Sequence, residues 1–157
     1  MQNGVRLIGV IADTHGLLRP EAVAALEGCD LVVHAGDIGR REVLEELGRL
    51  GPLVAVPGNN DREEWARALP AAETFDAGGL RVHVLHDLNE LEVDPAAEGI
   101  DLVIAGHTHR PRLEEREGVT YLNPGSAGPR RFRLPVAVAR VRIQRGRPRA
   151  ELVELPV

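Results

Sequence analysis

The sequence predicts an α/β protein: a two-layer β-sandwich of mixed sheets flanked by helices, in the manner of a four-layer fold. Three observations predict it. In the first half, short apolar runs alternate with segments of helical spacing, and in the second half closely spaced strand-like segments are joined by glycine-containing turns. The core must also be aliphatic, because aromatic residues make up only 3% of the chain. Runs of Val, Ile, Leu and Ala too apolar to be half exposed belong to sheets covered on both faces.

Taken in order, Leu7–Ala12 reads as a continuous buried strand, and the periodic stretch from Pro20 to about Glu27 as the helix that follows it. The unit repeats. Leu31–Ala35 is a second strand, Arg41–Leu50 shows helical spacing with Val43, Leu44 and Leu47 on one face, and Leu53–Val56 is a third strand. From Glu73 onward helical signal is sparse, and strands are expected at Arg81–Leu85, Leu102–Ala105, Leu113–Glu117, Val119–Leu122, Val136–Ile143 and Ala150–Leu155. Glu117-Gly118 and Arg145-Gly146 read as tight turns between strands. The terminal strands are expected to complete the sheet begun by the first half.

A chain of 157 residues is expected to form a single domain spanning residues 1–157, with no linker or internal repeat to divide it. All 19 basic residues are arginine. The missing lysine excludes a phosphate loop of the GxxxxGK[ST] kind, a Schiff-base amine and a kinase-type strand lysine, although the bias itself has a plain origin in codon composition. Net charge is −5, yet residues 110–149 hold 11 Arg against three Glu. Only Tyr121 and Phe132 interleave with those arginines, so they read as solvated strand faces rather than as a nucleic-acid surface. Cys29 stands alone, which rules out an internal disulfide. With no signal-like opening and no apolar run near the ~20 residues of a membrane span, a cytoplasmic protein without a membrane partner is expected.

Five polar motifs interrupt the apolar scaffold, each where a strand is expected to end: Asp13-Thr14-His15, Gly36-Asp37, Gly58-Asn59-Asn60-Asp61, His86-Asp87 and Gly106-His107-Thr108-His109. Taken singly, an Asp-x-His or His-x-His is an ordinary loop or a satisfied core histidine. Together and in order they converge, because the carboxyl ends of strands in open α/β sheets face one crevice. Carboxylate oxygens combined with imidazole nitrogens suit Mn²⁺, Fe²⁺, Zn²⁺ or Ni²⁺ better than Ca²⁺. The spacing of Asp13-x-His15 and His107-x-His109 is that at which an extended chain points both side chains to one side. His34 and His83, inside apolar strands, are expected to be hydrogen-bonded structural residues.

The ordered set D-x-H, G-D, G-N-x-D, a lone His and G-H-T-H, followed by Asn123-Pro124-Gly125-Ser126, resembles the calcineurin-like metallophosphoesterases, specifically their small bacterial and archaeal phosphodiesterase branch. It does so over nearly the whole chain. The resemblance implies one ion held by Asp13, His15 and His109, another held by Asn59, His86 and His107, and Asp37 bridging both. It further implies two divalent cations, manganese first with nickel, iron or zinc as alternatives, and a metal-bridging hydroxide that hydrolyses a phosphodiester. The expected partner is a small phosphate ester, and a homo-oligomer formed through exposed sheet surfaces is compatible. Asn123, Ser126 and Arg130, with Arg131 beside it, are candidate substrate contacts.

Two positions depart from that pattern. Asn60 stands where many members carry a histidine held to protonate the leaving oxygen; it is the candidate catalytic residue on the leaving-group side, able to donate a hydrogen bond there but not to transfer a proton near neutral pH. Asp87-Leu88 follows His86 where the branch commonly shows H-G-H, so Asp87 is either an acceptor orienting a histidine or a solvated turn residue. A phosphomonoesterase using the same site is the nearest alternative function, and a non-catalytic scaffold of the same fold is another. An amidohydrolase barrel would need about 250 residues, and Ser126 lacks a G-x-S-x-G elbow because Pro124 fills the first glycine position.

Overall fold

A computed structural model describes residues 4–157. Its elements in chain order are β1 (Leu7–Ile11), α1 (Pro20–Leu26), β2 (Leu31–His34), α2 (Arg41–Gly48), β3 (Leu53–Ala55), α3 (Glu64–Arg67), β4 (Ala72–Ala77), β5 (Leu80–Leu85), β6 (Leu102–Ile104), β7 (Arg112–Arg116), β8 (Val119–Asn123), β9 (Ala137–Gln144) and β10 (Arg147–Glu154). They build two five-stranded mixed sheets, ordered β10-β9-β1-β2-β3 and β4-β5-β6-β8-β7. The carboxy-terminal hairpin therefore completes the sheet begun by the first half, as the strand pattern predicts.

Side-chain alternation explains the layering. Ile8 and Val10 of β1, with Val33 and Val54, pack against Val82, Val84, Leu102 and Ile104 of the second sheet. The opposite face of the first sheet, with Ile11, Val32 and Val138, takes Ala22 and Leu26 of α1 and Val43 and Leu47 of α2. Leu26 and Leu47 are both fully buried, so each contributes roughly 1.5–3 kcal/mol of transfer free energy. Pro20 opens α1 at a position where its missing N–H costs nothing, and Gly28, at φ 83°, lets the chain leave it. On the far side of the second sheet, Ile100, with Leu88, Leu91 and Val93, covers Val103 and Val119.

Both hairpin turns form where glycine marks them, with positive φ at Glu117-Gly118 and Arg145-Gly146 as a type I′ turn requires. Three features differ from expectation. β4 is an edge strand whose Ala-Glu-Thr-Phe-Asp-Ala sequence is half exposed and poor in β-formers, so it carries little strand signal; the Gly78-Gly79 turn, with φ of 57° and 88°, was its one readable mark. α3 is a single turn, too short to show a period. α2 stops at Gly48, short of Leu50. Among the described residues no helix is long and apolar enough to cross a membrane.

Strand direction places the site. β1, β2 and β3 are mutually parallel, as are β5, β6 and β8. Each of the five polar motifs follows the carboxyl end of one of these strands, and the two sets of ends meet.

Candidate metal centre

The structure brings together every ligand candidate named from the sequence. Asp13, His15 and His109 place donor atoms within 4.8 Å of one another, and so do Asp13, Asp37 and His86. Asp37 Oδ2 lies 3.7 Å from His15 Nε2 and 3.4 Å from His86 Nε2, between the two groups. His86 Nε2 is in turn 3.1 Å from Asn59 Oδ1 and 3.3 Å from His107 Nδ1. Asp13 belongs to both groups, although the family resemblance implies the bridging part for Asp37 alone. Asp13 Oδ2 accepts the His107 N–H at 3.1 Å, and Oδ2 of Asp37, which faces histidines from both groups, likewise accepts the Asn60 side-chain amide at 3.0 Å. Asp13, Asp37, His86 and His109 are buried while Asn59 and His107 are exposed, so the cluster opens on the side of the latter pair.

The electrostatics fit a cation. Asp13 Oδ1 is buried without a hydrogen-bond partner, as is His109 Nδ1; a buried unpaired carboxylate oxygen is costly unless a positive charge meets it. Burial, reinforced by the nearby Asp37 charge, pushes Asp13 up to about 7. Burial would also raise Asp37, but hydrogen bonds from His86 and the Asn60 N–H, with the charges of His86 and His15, hold it well below the usual carboxylate range. Desolvation, followed by the positive charge of Arg131, lowers His109 to about 4. For His86 burial opposes protonation, yet its bonds to Asp37 and to Ala35 O win and shift it upward. His86 Nδ1 donates to Ala35 O at 2.8 Å, which turns Nε2 toward the cluster, the orientation a metal ligand needs. The close pair His15 Nε2 and His109 Nε2, 3.3 Å apart, adds a second convergence of nitrogen lone pairs.

The backbone reaches this arrangement differently from the extended Asp-x-His and His-x-His geometry that spacing suggests. Asp13, His15, Asp37, His107 and His109 all have positive φ, from 48° to 74°. Non-glycine residues in that region are uncommon and cluster at functional sites. Packing holds them there. A Cβ at Gly58 would overlap the backbone N and carboxylate of Asp37, so only glycine lets these two loops approach. Asp61, buried, accepts the N–H groups of Ile38, Gly39 and Gly58 at 2.9, 3.0 and 2.9 Å. It ties the Asp37 loop to the Asn59 loop, a role missed in the sequence although the residue sits inside the motif. His34 accepts the Gly36 N–H at Nδ1, so Nε2 donates to Thr14 Oγ1, which donates to Ile38 O. His34 is thus the structural residue expected, held neutral by burial at about 3. His83 pairs with Thr74 Oγ1 at 2.7 Å and has the same character.

The candidate substrate contacts fare differently. Asn123 donates to Gly106 O and Thr108 Oγ1 and accepts from Gly125 N, so its amide is consumed in bracing the Gly106–His109 loop. Ser126 Oγ donates to Asp13 O, and the Arg130 guanidinium donates to Leu134 O and Val157 O. All three face protein partners rather than the cluster. The arginine whose charge reaches Asp13, His15 and His109 is Arg131. Asn60 donates its side-chain amide to Asp37 Oδ2 at 3.0 Å, turned toward the carboxylate instead of outward. Asp87 stands 3.8 Å from His107 Nε2 and caps the Leu88–Glu90 turn through Asn89 N.

Comparison with known proteins agrees with this geometry. The chain belongs to the calcineurin-like phosphoesterase superfamily, whose family model matches residues 7–146. It is 39% identical over 132 residues to a probable metallophosphoesterase of Methanothermobacter thermautotrophicus, covering 76% of each chain. To a phosphodiesterase of Methanocaldococcus jannaschii it is 30% identical over 137 residues, 75% of this chain and 82% of that one. Among solved structures it superposes on a novel archaeal phosphodiesterase with a TM-score of 0.76 and 25% identity, covering 94% of this chain and 99% of the other. The Vps29 of Chaetomium thermophilum gives 0.76 at 20% identity, over 96% and 100% of the two chains, a likeness of fold alone. The family is one of metal-dependent hydrolases, and the residues gathered here are candidate metal ligands.

Proposed function

We propose that the chain is a binuclear-metal phosphodiesterase, with Asp13, His15 and His109 holding one divalent cation, Asn59, His86 and His107 the other, and Asp37 shared. The observation that carries this reading is Asp37 Oδ2, set 3.7 and 3.4 Å from histidines of the two groups. Two such cations, manganese in the first instance, supply Lewis-acid polarisation of a phosphate and a hydroxide at neutral pH. The protein's own part is orientation and charge. The Ala35 carbonyl fixes the His86 tautomer, the His34–Thr14–Ile38 chain fixes the loop behind Asp37, and Arg131 adds positive charge toward the Asp13, His15 and His109 group.

Asn60 sets a limit on the chemistry. Its amide is spent on Asp37, and it holds no transferable proton. Esters with acidic leaving groups should therefore turn over faster than alkyl esters, and supplying an acid through Asn60→His should narrow that gap by up to roughly the 10²–10⁴-fold that general-acid assistance provides. Bis(p-nitrophenyl) phosphate against dimethyl phosphate, each with manganese, measures this, and equal rates would contradict it. The basic assignment is tested by assaying nitrophenyl diesters and monoesters with added Mn²⁺ before and after chelation. Diester hydrolysis that disappears on chelation and returns with metal is expected. A chain that binds no metal and cleaves neither ester would instead fit the scaffold reading.

A further inference from the structure

We propose that a cleft opening from the metal centre beside Asn59 and His107 receives the retained arm of the phosphodiester, and that His83, Glu90 and Glu92 select an arm ending in an ammonium group. This rests on the phosphodiesterase reading above and adds a substrate class to it. The cleft has a volume of about 530 Å³ and shares Asn59, His86 and His107, the proposed ligands of the second ion, as lining residues. It therefore lies on the side where the cluster is open, since Asn59 and His107 are exposed. An ester bound at those ligands carries a second arm that needs room, and a cleft of this size supplies it. From there it follows the outer face of the second sheet, where Ala72 pairs with Leu85 and Thr74 with His83 across β4 and β5. Ala72, Leu85 and Val93 give it apolar wall suited to methylene groups. His83 precedes His86 by three residues, about 10 Å of chain at roughly 3.3 Å per strand residue.

Two observations say what the arm carries. His83 is only 6% exposed, and its Nδ1 is bonded to Thr74 Oγ1 at 2.7 Å. Its Nε2 has no protein partner among the described residues, yet the buried side-chain atoms left unsatisfied are Asp13 Oδ1 and His109 Nδ1. Nε2 is therefore open to the cleft that His83 lines, and a nitrogen left free on so buried a side chain calls for a ligand group. Burial lowers the proton affinity of this ring, so it stays neutral, and with Nδ1–H donated to Thr74 the lone pair of Nε2 accepts. The second observation is charge. All 19 basic residues are arginine, and among the described residues none of them lines this cleft, although one end of it serves a phosphate. Glu90 and Glu92 line it instead. The arginine ion pairs among the described residues involve Glu45, Asp76 and Glu114, which leaves both of these carboxylates free. A neutral imidazole acceptor and two carboxylates complement the donors of an ammonium, whereas an arm ending in a second anion is repelled.

The experiment uses the manganese-loaded full chain and three esters with one leaving group: 4-aminobutyl, pentyl and 4-sulfobutyl p-nitrophenyl phosphate. The parent should favour the aminobutyl over the pentyl ester roughly tenfold in kcat/KM, mainly through KM, and should disfavour the sulfobutyl ester. Glu90→Gln combined with Glu92→Gln, both at exposed positions that folding does not depend on, should cut the aminobutyl-to-pentyl ratio to about threefold or less. His83→Leu should lower it likewise, and His83→Gln, which keeps an acceptor, should lower it less. A parent ratio near one, or a ratio unchanged by the glutamate pair or by His83→Leu, would overturn the proposal. Calorimetric binding of 4-aminobutyl phosphate against pentyl phosphate gives a readout free of turnover: the parent should prefer the amine and the glutamate double variant should not. A chain that hydrolysed none of the esters yet kept this preference, dependent on Glu90 and Glu92, would refute the hydrolytic reading and uphold the cleft. Hydrolysis of all three esters with no preference in binding or rate would do the reverse.

Discussion

Asp37→Asn is expected to reduce manganese-dependent diester hydrolysis by at least about a thousandfold, the scale on which loss of a charge-stabilising element in a polar site is felt. The substitution is nearly isosteric and removes one negative charge from a carboxylate set between His15 and His86. It also leaves only one of the two oxygens that accept from the Asn60 backbone and side-chain nitrogens, each at 3.0 Å. A carboxamide oxygen is a weaker ligand and cannot serve two cations at once, so metal content should fall from two ions per chain to one or fewer. Elemental analysis of the desalted protein reads that loss directly. Parent-like turnover with two ions retained would show that Asp13, the residue common to both clusters, does the bridging alone.

How much of this was legible beforehand depended on which physical signal each part emits. Strands such as Leu31–His34 and Leu102–Ile104 are buried on both faces and therefore appear as uninterrupted apolar runs. The polar motif after each run then stood out by contrast, and parallel direction did the rest, delivering Asp13, Asp37, Asn59, His86 and His107 to one crevice. β4 emitted no such signal because half of it faces solvent. Side-chain direction was also beyond reach. The resemblance could mark Asn123 and Ser126, and a place just past their turn could mark Arg130, as candidate substrate contacts, but their hydrogen bonds to Gly106, Asp13 and Val157 are set by how loops pack. The left-handed backbone of His15 and His109 was hidden for the same reason, since nothing in the sequence of a histidine asks for positive φ. Asp61 was readable as part of a motif and unreadable as a brace.

That brace supplies the largest expected effect on stability. Asp61→Ala leaves the N–H groups of Ile38, Gly39 and Gly58 without the carboxylate that accepts all three. Each such loss costs about 1–3 kcal/mol when the donor stays buried, and partial hydration of Gly39 and Gly58 brings the total to roughly 3–5 kcal/mol. For a chain of this length the midpoint of thermal unfolding should drop by about 10 °C, at roughly 2–4 °C per kcal/mol. Asp61→Asn keeps one acceptor oxygen and should lose less. The same change must also reach the metal centre, because Ile38 follows Asp37, the proposed shared ligand, and Gly58 precedes Asn59, a proposed ligand of the second ion. Manganese affinity of Asp61→Ala, measured by calorimetry well below its unfolding temperature, should therefore fall about 10–100-fold, as it does for outer residues that orient metal ligands. A midpoint within about 2 °C of the parent, or unchanged affinity in a destabilised protein, would separate the two loops energetically and remove Asp61 from the description of the site.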